Sequence, residues 1–125
     1  MTDEEAKAIC DKIRQTAYSL HLYLGKGYLE KVYENGLAHR LEKLGMEVLR
    51  QVPIQIHDED GFPLGDYIAD MIVNGIVVEL KATTTIMPAH ISQTINYLNA
   101  MHLDHGMIID FGSDKFQCKK LVRRR

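Results

Sequence analysis

Hydrophobic residues recur every three or four positions through the first third of this chain, a spacing typical of amphipathic helices. The pattern predicts a first helix over residues 3–24, capped by Thr2 or Asp3, and a second from about Leu29 to Leu44. Gly25-Lys26-Gly27 interrupts the pattern between them. The predicted core positions are Ala6, Ile9, Cys10, Ile13, Ala17, Leu20 and Leu24 in the first helix and Leu29, Val32, Tyr33, Leu37, Leu41 and Leu44 in the second.

From residue 46 the apolar positions alternate with polar ones, which is the period of a strand with one buried face. We predict a strand over Met46–His57, and Pro53 within it indicates a free edge or a bulge, because proline cannot donate a ladder hydrogen bond. The turn-rich segment Asp58–Gly65 is interpreted as a hairpin connection to the next strand.

The last third of the chain predicts one more helix and two more strands. The helix extends from about Pro88 to His102, Gly106–Phe111 is interpreted as a short apolar strand, and Phe116–Val122 as a final strand. A helix between two strands implies a right-handed parallel crossover. The order α-α-β-β-β-α-β-β therefore predicts an α/β (α+β) fold, in which helices flank a mixed sheet of four to five strands.

Composition adds limits to this picture. The 125 residues are 46% hydrophobic and 26% charged, which suits one globular domain over residues 1–125. No apolar run approaches the roughly 20 residues of a membrane span, and the start of the chain lacks the apolar core of a signal peptide, so we expect a cytoplasmic protein without a membrane partner. Cys10 and Cys118 form no metal-spaced pair. The basic tail Lys119–Arg125 suits either a phosphate backbone or plain solvation.

Residues 66–82 predict a tight β-hairpin around Asn74-Gly75, a dipeptide that favours a type I′ turn. Strands Ile68–Val73 and Ile76–Lys81 flank this turn. A two-residue loop fixes the cross-strand register. The expected partners are Val73 with Ile76, Ile72 with Val77, Met71 with Val78, and Asp70 with Glu79.

The predicted register places two carboxylates opposite each other, with Lys81 on the same face as Glu79. Asp70 and Glu79 would repel unless something binds between them, and a divalent cation is the simplest candidate. The alternative is an exposed Glu79–Lys81 pair with Asp70 as an ordinary edge residue, and the hairpin alone favours neither interpretation.

Three further polar residues lie beside predicted core stripes. Glu30 is in the first turn of the second helix, where by itself it is interpreted as a favourable charge on the helix dipole. Gln93 and Tyr97 are four residues apart on the last helix, and by themselves they would be a surface amide and a half-buried tyrosine. The six histidines are scattered along the chain and indicate no site.

These signals occur together in one order that resembles a known family. Gly27 to Tyr33 matches G-x-x-E-x-x-Y, Asp70 precedes the E-x-K of Glu79-Leu80-Lys81, and Gln93 to Tyr97 matches Q-x-x-x-Y. This arrangement is similar to the GxxExxY family, a branch of the PD-(D/E)xK nuclease superfamily, from about Ala6 to Val122. Ala69 stands where the superfamily name has proline.

The resemblance implies a restriction-endonuclease-like core and a metal-dependent nuclease that cleaves nucleic acid, DNA in preference to RNA. It implies that Glu30, Asp70 and Glu79 ligate Mg²⁺, with Mn²⁺ as an alternative. Lys81 would position the attacking water, and Gln93 and Tyr97 would support the site. The alternative is a catalytically silent nucleic-acid-binding or protein-interaction adaptor with the same fold. A homodimer or a partner protein would enlarge the small surface available for specificity.

Overall fold

The computed structural model describes residues 1–123, so the last two residues of the predicted basic tail, Arg124 and Arg125, lie outside the described part. Its elements are α1 (Asp3–Leu24), α2 (Glu30–Lys43), β1 (Val48–His57), β2 (Pro63–Val73), β3 (Ile76–Lys81), α3 (Pro88–Met101), β4 (His105–Asp110) and β5 (Gln117–Val122). The strands form one sheet in the order β1-β2-β3-β4-β5, with β3–β4 parallel and the other pairs antiparallel. The predicted element order and helix-flanked mixed sheet are therefore confirmed.

The first helix begins where its cap was predicted. Thr2 Oγ1 accepts the Glu5 N–H at 3.1 Å, and the Glu5 carboxylate accepts the Thr2 N–H at 3.3 Å. This reciprocal capping box satisfies N–H groups that have no partner within the helix. Among residues 1–123, no helix combines the length and the apolar character needed to cross a membrane.

Two separate cores cover the two faces of the sheet. The larger core joins α1 and α2 to Met71, Val78 and Leu80, and it also includes Met107 and Ile109 of β4. The smaller core joins α3 to Val77 and to the outer part of the β1–β2 hairpin. Alternate residues of β3 thus bury in opposite cores, as the period of two requires.

Part of the way along the β1–β2 hairpin, the core-facing side chains switch from one face of the sheet to the other. Met71 is in the core of α1 and α2, whereas Ala69, two residues earlier, is in the core of α3. In β1, Val48 packs against the first core and Val52 against the second. Residues an even number apart would share a face in a regular strand, so both strands are irregular between these points. Gln51, with φ of 51°, and Asp70 lie at the change.

Two strand predictions needed correction, and one was confirmed. The connection between β1 and β2 is shorter than Asp58–Gly65, because β2 already begins at Pro63 and the tip closes through Asp58 N–H to Phe62 O at 2.8 Å. β1 is an edge strand, which confirms the interpretation of Pro53. β4 was expected to be wholly apolar, but it contains Asp110, whose side chain is fully buried.

Candidate active site

The site is built around the β2–β3 hairpin. Asn74 and Gly75 have φ angles of 46° and 84°, the positive values that a type I′ turn needs. Three cross-strand pairs follow the predicted register, namely Val73 with Ile76, Ile72 with Val77, and Met71 with Val78. The sequence therefore determined which residues of the two strands meet.

The backbone pairing of β2 and β3 stops one position short of Asp70 and Glu79. Glu79 Oε1 accepts the Asp70 N–H at 3.0 Å, and Asp70 Oδ2 accepts the Leu80 N–H at 2.8 Å. Each carboxylate thus replaces a backbone carbonyl as the acceptor for the opposite strand. The two strands separate here, and the two carboxyl groups converge in the space between them.

Burial and mutual repulsion make this pair unusual. Only 5% of Glu79 is exposed, and its removal from water raises the pKa of its carboxyl to about 8, with the Asp70 charge raising it further and Lys81 opposing the shift. A carboxyl with so high a pKa holds its proton at neutral pH. With both carboxyls ionised, two negative charges would face the single positive charge of Lys81, so the ionised pair would be short of one positive charge.

Glu30 stands at the rim of this pair, at the start of α2. Partial desolvation raises the pKa of its carboxyl, Lys81 lowers it, and Asp70 raises it, so Glu30 lies within the electrostatic field of the hairpin charges. The Ala82 backbone also stabilises its ionised form. The structure therefore places Glu30 beside Lys81, although the side chain stays exposed to solvent.

The other motif residues before α2 fix the start of that helix. Gly27 has φ of 104°, which disfavours any residue with a side chain. The buried Tyr33 donates its hydroxyl proton to Gly25 O at 2.6 Å and accepts the Tyr28 N–H at 3.3 Å. Its ring stacks on Phe111 at 4.5 Å between centroids. Glycine and tyrosine thus hold the loop from which Glu30 emerges.

The two predicted residues of α3 have different positions. Tyr97 is 5% exposed, and burial raises the pKa of its hydroxyl, followed by the charges of Glu79 and of other nearby groups. Gln93 lines a groove one turn earlier on α3, and within residues 1–123 no hydrogen bond joins it to the carboxyl pair. Tyr97 thus lies within the electrostatic field of the carboxyl pair, and Gln93 lines the groove one helical turn from Tyr97.

Asp110 is a neighbour of the site that the sequence analysis missed. It lies beside Lys81 in the parallel ladder, where Oδ1 accepts the N–H groups of Thr83 at 3.0 Å and Gly112 at 2.9 Å, and Oδ2 accepts the Thr83 hydroxyl. A Cβ on Gly112 would lie 1.8 Å from Thr83 O. Asp110 and Gly112 therefore hold the loop after Lys81. The sequence signal that could have identified Asp110 was an acidic residue within an otherwise apolar strand.

A second missed cluster surrounds Glu34, which is 4% exposed. Its carboxylate accepts from Arg50 Nη2 at 2.7 Å and Nε at 2.9 Å, from Gln51 Nε2 at 2.7 Å, and from Lys31 Nζ at 3.2 Å. Gln51 lies where the hairpin changes faces, next to the strand that carries Asp70. The cluster therefore ties α2 to the irregular part of β1, and no sequence pattern indicated this contact.

The donor set at the hairpin suits a hard divalent cation. Within residues 1–123 no three His, Cys, Asp or Glu side chains are gathered into a metal-binding group, so Asp70 and Glu79 are the two carboxylates available between the strands. Mg²⁺ is usually held by one or two carboxylates and keeps several waters. A cation here would replace the proton that Glu79 otherwise retains.

Comparison with known proteins agrees with this arrangement. The family model of the PD-(D/E)XK nuclease superfamily matches residues 7–124. A structure titled "Crystal structure of SSO0001" superposes with a TM-score of 0.58 at 19% identity, over 76% of this chain and 50% of that one, so this chain spans about half the length of that protein and shares its fold. None of the curated proteins matches the sequence. The chain belongs to the PD-(D/E)XK nuclease superfamily.

Proposed function

We propose that this protein is a divalent-metal-dependent nuclease of the GxxExxY branch, which hydrolyses phosphodiester bonds in nucleic acid, DNA in preference to RNA. One observation carries the proposal. Two carboxyl groups converge where the β2–β3 ladder opens, and the pair is short of positive charge although Lys81 lies beside it. Purely structural acids would be expected to have that charge supplied by the protein.

Each residue has a role that follows from its position. Asp70 and Glu79 would hold Mg²⁺, or Mn²⁺ as an alternative, and Glu30 would contact it through water from the rim. The bound ion supplies charge neutralisation at the phosphate and a more acidic water. Lys81 is a mobile point charge that orients the attacking water and stabilises negative charge developing on the phosphate oxygens. The buried Tyr97 closes one side of the pair against solvent.

The G-x-x-E-x-x-Y segment supports placement in the branch. Gly27 and Tyr33 fix the start of α2, and Glu30 emerges from that start toward Lys81. Gln93, which lines the groove along α3, would support the site together with Tyr97, as the Q-x-x-x-Y resemblance implies. The preference for DNA follows from the family resemblance.

A cleavage panel tests the proposal. Single- and double-stranded DNA and RNA are incubated with Mg²⁺, with Mn²⁺ or with a chelator, using the parent protein, Glu79→Gln and Glu34→Gln. Each variant replaces a buried glutamate with a neutral side chain of the same shape, which cannot provide a carboxylate to a cation. We expect cleavage that needs metal, is lost in Glu79→Gln and is retained in Glu34→Gln.

A metal titration of thermal stability separates the nuclease from a silent adaptor. A ligand that binds the folded chain alone raises its stability as it saturates the site. Mg²⁺ should therefore stabilise the parent protein and not Glu79→Gln. Absence of both cleavage and metal-dependent stabilisation would overturn the proposal in favour of the adaptor.

A further inference from the structure

An open groove of about 980 Å³ runs between α3 and the outer part of the β1–β2 hairpin. Helix residues from Ala89 to His102 line it, which corresponds to roughly 20 Å at about 1.5 Å per helical residue. That length would accommodate about six stacked nucleotides at roughly 3.4 Å each. The lining residues are Gln55, Ile56, His57, Tyr67, Ala89, Ser92, Gln93, Asn96, Tyr97, Asn99, Ala100 and His102.

The groove is mostly apolar, with polar side chains set into it, and it carries none of the charges that hold a phosphate backbone. Among the described residues that line it there is no lysine, arginine, aspartate or glutamate. Four side-chain amides, those of Gln55, Gln93, Asn96 and Asn99, supply donors and acceptors instead. The lining therefore offers no cation to a phosphate backbone, whether paired or unpaired, whereas its amides match the edges of unpaired bases.

An exposed aromatic ring lies in the same groove. Tyr67 on β2 is 49% exposed, and its ring centroid is 5.7 Å from that of Tyr97. Unpaired bases stack on such rings with little sequence preference, because every base has a π face. The groove therefore combines a stacking platform with hydrogen-bonding groups for base edges.

The groove opens beside the carboxyl pair. Tyr97 lines the groove and packs in the α3 core with Ala69 and Val77. Ala69 directly precedes Asp70, and Val77 is two residues before Glu79 on the same face of β3. A strand lying in the groove would therefore bring its backbone next to Asp70 and Glu79.

We infer that this groove binds the unpaired bases of a single-stranded stretch of nucleic acid and leads the scissile phosphate to the carboxyl pair. The inference rests on the proposed nuclease function and names its substrate class. The protein would hold the bases in the groove, and the phosphate contacts would come from Lys81 and a bound cation. A fully paired duplex hides the Watson–Crick edges and the faces of its bases, so it should bind poorly.

Binding is measured by fluorescence anisotropy in a Glu79→Gln background, so that cleavage does not consume the probe. The probes are a single strand of DNA, the same sequence as RNA, its duplex, and an abasic strand of equal length. We expect a single strand to bind best and the abasic strand, which keeps every phosphate, to bind weakly. The DNA and RNA arms show which sugar the groove accepts.

Variants locate the binding in the groove. Tyr67→Ala should weaken single-strand binding about 5- to 150-fold, the range for losing one stacked base. Asn96→Leu replaces an exposed amide with an apolar side chain of similar size, and it should weaken binding less than Tyr67→Ala does. Tyr23→Ala is the matched control, because Tyr23 is 79% exposed on α1, outside the groove, and binding should not change. Circular dichroism confirms that each variant is folded.

The outcomes separate this inference from the proposed function. Equal binding of the abasic strand and the normal strand, or binding unaffected by both Tyr67→Ala and Asn96→Leu, would overturn the groove assignment. Efficient metal-dependent cleavage of a blunt duplex without any single-stranded preference would overturn it while supporting the nuclease. Base-dependent binding sensitive to Tyr67→Ala, with no cleavage under either metal, would support the groove and overturn the nuclease.

Discussion

Glu34 and Glu79 are almost equally buried, at 4% and 5% exposure, yet their surroundings are opposite. Glu34 accepts hydrogen bonds from Arg50, Gln51 and Lys31, so cationic and polar donors surround its charge. Glu79 faces a second carboxyl, that of Asp70, and its pKa rises to about 8. The protein supplies partners for the charge of Glu34, whereas it supplies no full counter-charge for the Asp70–Glu79 pair.

The comparison shows that burial of an acid does not by itself indicate a functional site. Asp110 is more buried than either glutamate, and it too is satisfied, by the Thr83 and Gly112 N–H groups and the Thr83 hydroxyl. Glu34 and Asp110 hold elements of the fold together. Only a missing counter-charge distinguishes the Asp70–Glu79 pair from them, and a cation is the species that would provide it.

The largest expected effect on cleavage separates the role of Lys81 from that of the two carboxylates beside it. Lys81→Met should lower cleavage about 10²- to 10³-fold, the usual cost of losing one group that stabilises transition-state charge. Mg²⁺ affinity should hold or increase slightly, because a cation beside the metal has been removed. Calorimetric Mg²⁺ binding and a nuclease assay on the same sample measure the two quantities.

Asp70→Asn is the matched variant for that experiment. It removes a carboxylate ligand, so metal affinity and cleavage should fall together. Unchanged Mg²⁺ binding in Asp70→Asn would mean that the metal does not bind at the carboxyl pair. Cleavage at the parent rate in Lys81→Met would remove the lysine from the mechanism.

Asp110→Ala should have the largest effect on stability. It leaves the N–H groups of Thr83 and Gly112 and the Thr83 hydroxyl without their acceptor, and we expect a loss of about 3 kcal/mol in the free energy of unfolding. Chemical denaturation measures this loss, with Asp114→Ala, an exposed acid on the next loop, as the control. A loss no greater than that of the control would contradict the anchoring role of Asp110.

The raised pKa of Glu79 makes the metal-free protein less stable at high pH. The folded chain keeps this proton up to about pH 8, whereas the unfolded chain releases it near the ordinary value of 4.5. The stability that this bound proton contributes is therefore fully present below pH 4.5, the pKa in the unfolded chain. It is lost as the pH rises through about 8, the pKa in the folded chain. We expect the free energy of unfolding to fall throughout this pH range, because the folded chain holds one more proton there than the unfolded chain does.

Denaturation in chelator, in the parent protein and in Glu79→Gln, tests this dependence. The glutamine is neutral at every pH, so its curve should lack the decline that the parent shows between mildly acidic and alkaline pH. Saturating Mg²⁺ should restore stability to the parent at alkaline pH. Parallel curves for the two proteins would show that Glu79 ionises as an ordinary solvated acid.

The smallest effect is expected at Glu34, whose carboxylate already has partners within the protein. Glu34→Gln weakens the bonds from Arg50 and Lys31, and we expect a loss of about 1–2 kcal/mol in stability, with cleavage unchanged. Urea denaturation and the cleavage assay together measure this. Loss of cleavage in folded Glu34→Gln would place Glu34 in the site and remove the contrast with Glu79.

Local patterns accounted for most of the secondary structure because each signal acts over a few residues. Thr2 and Glu5 form a capping box within one turn, and Asn74-Gly75 sets its own turn and the register of the pairs beside it. The register predicted from this turn therefore put Asp70 and Glu79 in opposed positions on the two strands. The failures were Asp110, hidden within an apolar run, and the early start of β2 at Pro63.

The sequence by itself determined the order of elements and the register of the β2–β3 hairpin as far as Met71 and Val78, because these depend on turn chemistry and on periodicities of 2 and 3.6. Only the tertiary structure decided how Asp70 meets Glu79, because the ladder ends before them and Asp70 lies where β2 changes faces, and only it decided which buried acids have partners. The contact of Arg50 with Glu34 joins β1 to α2, and the electrostatic influence of Glu79 on Tyr97 depends on how α3 packs on the sheet. The raised pKa of Glu79 results from such packing, since desolvation depends on every chain segment that excludes water from it.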